Sequence, residues 1–201
     1  IFDYFATKLD LKNNFDIFCR YAEEFGGVVK VADLVEYLNS VNVKTGNLNA
    51  QLRIQSDSKF FYYDEHTLIY GPSMHIDEQW METVKSALMK LFADVGDHII
   101  LRDINEFWYS KLPTLPKDLN WTPLLLQGIL RFYGEDLNAK TIMAMEGQSF
   151  IKLHSMLVSE ESPIQNFGDA VISYLEDNDI EQRLFDAEEL RQLLVDAKML
   201  Q

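Results

Sequence analysis

The sequence predicts a mainly α fold with small β-hairpins, organised as repeated modules of helix, strand, helix, helix and hairpin. Three observations carry this. The chain matches itself without a gap at an offset of 70 residues, pairing one amphipathic helix–strand–helix pattern with another. Each pattern runs on into a Thr-capped apolar segment, then into paired β-prone runs around a short polar turn. The composition can supply the cores: 47 % of the 201 residues are hydrophobic and 12 % aromatic, a folding rather than a disordered composition.

In chain order, residues 1–13 read as a leading helix or extension ahead of a first module at 14–76. There Phe18, Tyr21, Ala22 and Phe25 recur at helical spacing. Gly26 follows, then the β-branched Val28, Val29 and Val31, then a second helical face at Leu34, Tyr37 and Leu38. Thr45 can take an orphan backbone N–H as the cap of a third helix, in which Leu48 and Leu52 share a face. Lys59-Phe60-Phe61-Tyr62-Tyr63 and Thr67-Leu68-Ile69-Tyr70 are strand-like, with Asp64-Glu65-His66 as a hairpin loop between them. Pro72 stops the second strand.

The offset then lays Phe18 on Leu88, Tyr21 on Leu91, Phe25 on Val95, Gly26 on Gly96, Leu34 on Ile104 and Tyr37 on Phe107. This defines a second module at 77–160. Its third helix opens at Thr122-Pro123, Thr as cap and Pro at the first helical position, and is expected to end at Gly134. Its hairpin is expected from strands at 142–145 and 149–153 around Glu146-Gly147-Gln148. In 161–201 the two helical faces recur as Val171, Tyr174, Leu175 and as Leu190, Leu193, Leu194. This region reads as an acidic helical module, a third copy that is either incomplete or closes differently. Three helices, an extended piece after the first and a closing hairpin make a winged helix, so the chain reads as tandem winged-helix modules.

Residues 44–70 carry a resemblance. Lys44-Thr45, the helix with Ala50-Gln51-Leu52, and the basic-aromatic Lys59-Phe60 opening a wing closed by Tyr70 resemble the HARE-HTH type of winged helix, the fold of the N-terminal domain of the bacterial RNA polymerase delta subunit. Glu65-His66 stands where that family usually has a Gly. The resemblance covers residues 15–71. It implies a role linked to nucleic acid or to protein docking, in transcription, chromatin, modification or helicase settings, and not catalysis.

No catalytic constellation is visible. His66, His75, His98 and His154 show no metal-ligand spacing, and there is no HExxH, P-loop, GxGxxG or GxSxG. Cys19, between Phe18 and Tyr21, reads as a core or boundary residue rather than a nucleophile. Asp186, Glu188 and Glu189 start a helix, where acids favour its dipole. The Asp177 to Glu181 stretch lacks EF-hand spacing. The expectation is a non-enzyme without cofactor or metal.

Charge bears on the partner. There are 32 Asp+Glu against 18 Lys+Arg, a net of −14. Residues 1–76 hold 10 acids and 7 bases (−3), residues 77–160 hold 12 and 8 (−4), and residues 161–201 hold 10 and 3 (−7). The total excludes a protein that coats nucleic acid by bulk charge, yet the first module is close to balanced. Its third helix presents Asn47, Asn49, Gln51 and Arg53 between Lys44 and Lys59, the residue types that read base edges. In the second module the same helix carries Leu124, Leu125, Leu126 and Leu130 after Trp121. Three consecutive Leu cannot all face one core, so this is a protein-contact helix, toward a partner or an adjacent module. One Cys suits a reducing cytosol, and no apolar run reaches the ~18 residues of a membrane helix. No signal-peptide pattern opens the chain, whose first residue, Ile1, reads as the start of a piece or a trimmed chain. The reading is therefore a cytoplasmic tandem winged-helix module docking a protein partner or adjacent domains of a longer chain, within a nucleic-acid-related or transcription-related machine. The alternative is a DNA-binding regulator reading sequence through the third helix of the first module.

Overall fold

A computed structural model describes residues 14–43, 60–64, 66–142, 155–178, 180 and 186–197. The described chain is mainly helical, with two antiparallel three-stranded sheets. It divides into two compact units, Ile1–Asp77 with Thr114–Gly128, and Glu78–Pro113 with Ile129–Gln201.

The first unit begins with α1 (Asn14–Glu24), whose inward residues Ile17, Phe18, Tyr21 and Ala22 are all buried. The helix ends where Gly26 takes φ 73, a left-handed conformation that suits glycine best. β1 (Val28–Lys30) follows, then α2 (Val31–Ser40), which buries Leu34 and Leu38 at i, i+4. β2 (Phe60–Tyr62) and β3 (Thr67–Tyr70) form the hairpin. β3 is central: Leu68 lies opposite Val29 of β1 and opposite Tyr62 of β2. Asp64 shapes the loop, its carboxylate accepting from the His66 N–H at 2.8 Å and from the Thr67 hydroxyl at 3.1 Å. This Asx-type closure turns the chain where a glycine was expected. Phe18, Tyr21, Ala22, Val29, Leu34, Leu38, Phe60, Leu68 and Tyr70 belong to one core.

The second unit starts with α3 (Glu78–Val95), which buries Val84, Ala87, Leu88 and Leu91. It also ends before a left-handed glycine, Gly96, at φ 94. β4 (His98–Ile100) and the short α4 (Glu106–Tyr109) come next. α5 (Pro123–Leu137), which belongs to the first unit up to Gly128, leads into β5 (Ala139–Ile142), and β6 (Met156–Ser159) is central between β4 and β5. The strand orders, β1-β3-β2 and β4-β6-β5, are the same. β1 and β4 lie 70 residues apart, the spacing of the internal repeat.

One local expectation is corrected. α5 does not end at Gly134 but runs on to Leu137, and Asn138 makes the turn at φ 53. Gly134 is there for room: a Cβ would stand 2.6 Å from the Ala139 carbonyl oxygen. In the second hairpin, strands form at 139–142 and 156–159; of the expected strands at 142–145 and 149–153, all but Ile142 lies outside the described residues. Met156, Leu157 and Val158 are all buried, so this run lacks the apolar–polar alternation that marks a strand in sequence. Residues 143–154 lie outside the described residues.

The two helical faces in the acidic region are α6 (Phe167–Asp177) and α7 (Ala187–Asp196). α6 opens with a capping box, Asn166 accepting from the Asp169 N–H at 3.1 Å while the Asp169 carboxylate accepts from the Asn166 N–H at 3.2 Å. Asp186 caps α7, accepting from Glu188 and Glu189 N–H at 3.0 and 2.8 Å. Both helices join the core of the second sheet: Ala170 and Leu194, with Phe167, Val171, Tyr174, Leu190 and Leu193, pack with Ile142, Met156 and Val158. No helix among the described residues is long and apolar enough to cross a membrane.

Candidate functional site

The candidate protein-contact helix is α5. Thr122 caps it, its hydroxyl oxygen accepting from the Leu125 N–H at 3.1 Å. The same hydroxyl donates to the Tyr63 carbonyl at 2.9 Å, which ties the start of α5 to the edge of the first sheet. The helix passes so close to that sheet that a Cβ at Gly128 would stand 2.7 Å from the Phe61 Cβ. These contacts lie within the first unit.

Leu125, Leu126 and Leu130 are buried and Trp121 is half-buried. Leu124 is 42 % exposed. Helical geometry explains the split: positions 125, 126, 129 and 130 form one face, and 124 falls about 100° to its side. Of the candidate partner-binding residues, the apolar side chain left open to solvent is therefore Leu124. Phe107, on α4, is a second one at 57 % exposure, with the Lys111 ammonium 4.6 Å from its ring centre. Sequence reasoning placed it on a helical face by its match to Tyr37, but helical spacing alone does not say which apolar positions a neighbour covers.

The candidate base-reading residues Lys44, Asn47, Asn49, Gln51, Arg53 and Lys59 lie outside the described residues. So does His154.

Asp97 and Tyr70 sit in structural contacts. Asp97 precedes β4 and accepts from the Ser162 hydroxyl at 2.6 Å, with His98 Nδ1 at 2.9 Å from its other oxygen. Burial disfavours the charged carboxylate, but the hydrogen bonds from Ser162 and His98 outweigh it and hold the group below the ordinary carboxylate range. Ser162 is buried and also accepts from the Ile164 N–H at 3.2 Å. Cys19 is half-buried on α1 against Tyr70. The Tyr70 hydroxyl, raised by burial and by Cys19 and Glu23, lies 3.4 Å from a Glu23 oxygen. Tyr109 is pushed up to about 12 by burial, and its hydroxyl has no partner among the described residues. No group of three metal-ligating side chains occurs among the described residues.

Comparison with protein-family models, with curated proteins and with solved structures gives no significant match to the chain.

Proposed function

We propose that this chain is a non-enzymatic tandem winged-helix module that docks a protein partner, within a nucleic-acid-related or transcription-related machine. The observation that carries the architectural half is the repeated sheet. Each unit has a helix, a short strand, a second helical segment and a hairpin, and each sheet has the order first, third, second strand. A shared offset of 70 residues between β1 and β4 supports duplication of one module rather than two unrelated sheets.

The docking half rests on Leu124. Its neighbours on α5 are buried, and it remains exposed at the capped start of the helix beside half-buried Trp121. The capping hydroxyl and the close pass at Gly128 hold that segment to the first sheet. A fixed apolar side chain loses little freedom on contact, which favours association.

The test is a photo-crosslinking amino acid at position 124 of the full chain. The expected result is a discrete adduct with one protein, absent when the crosslinker sits at exposed Glu160. A chain that yields no adduct and instead binds duplex DNA at physiological salt would overturn the proposal in favour of base reading.

A further inference from the structure

We draw no further inference here: the strongest candidate, the exposed apolar patch that Phe107 makes on α4 beneath the Lys111 ammonium, carries none because nothing in the structure shows what covers it.

Discussion

At the scale of single residues, polar atoms rather than apolar ones separate what is fixed from what is tolerated. The Asp97 carboxylate is held below its ordinary range, so its contribution to stability is complete above the unfolded value of about 3.9 and is lost as the pH falls through the lower folded value. Ser162→Ala removes the 2.6 Å hydrogen bond and is expected to move the Asp97 pKa upward, narrowing the acid range over which the fold persists. An unchanged carboxyl titration by NMR would refute this. Tyr109 is the opposite case. Its buried hydroxyl has no partner among the described residues, and a buried polar group without a hydrogen bond costs free energy. Tyr109→Phe should raise stability to urea by about 1 kcal/mol; a loss of that size would show that the hydroxyl is bonded. Neither contact is visible in sequence. Ser162 and Asp97 are far apart in the chain, and nothing local to Tyr109 distinguishes it from Trp108 or Phe107.

At the scale of elements, the signals that worked are local ones. Thr122-Pro123 reads as a helix start because a hydroxyl can cap and a proline needs no donor at the first helical position, and α5 starts there. Asp186 likewise starts α7. Thr122→Ala should cost about 1–2 kcal/mol in chemical unfolding, above an ordinary cap, because the hydroxyl also donates to Tyr63. Thr122→Ser should restore most of it, and equal losses for both would argue for packing of the methyl instead. The signals that failed depend on what passes nearby. Gly134 looks like a helix end, yet it serves the approach of the Ala139 backbone. β6 is buried from Met156 to Val158, so its sequence has no period to read.

At the scale of the whole molecule, the acidic C-terminal region is part of the second unit's core rather than an appendage. Half of the net charge lies in 161–201, but Ala170, Leu194 and their apolar neighbours cover Ile142, Met156 and Val158. On the described helices α6 and α7, Glu176, Asp177, Glu188, Arg191 and Asp196 are exposed, as expected of amphipathic helices with one buried stripe. Ending the chain at Glu160 would uncover this apolar surface. The shortened chain is expected to lose its cooperative unfolding transition and to associate, measured by calorimetry and light scattering. A monomer with an unchanged transition would show that α6 and α7 are dispensable.

The sequence by itself determined the helix faces, the capped starts, the first hairpin and the repeat that lays β1 on β4, because each depends on residues only a few positions apart or on a pattern copied at one offset. Only the tertiary structure decided which apolar residues remain exposed. Leu124 and Leu125 are neighbours of the same type, as are Phe25 and Phe18 on one predicted face, yet one of each pair is solvated. Tertiary packing also placed β6 in the middle of its sheet and α6 and α7 in the core. The physical reason is that burial is a property of neighbours distant in the chain. A helical period fixes the side of a helix on which a residue lies, and packing fixes whether anything covers it.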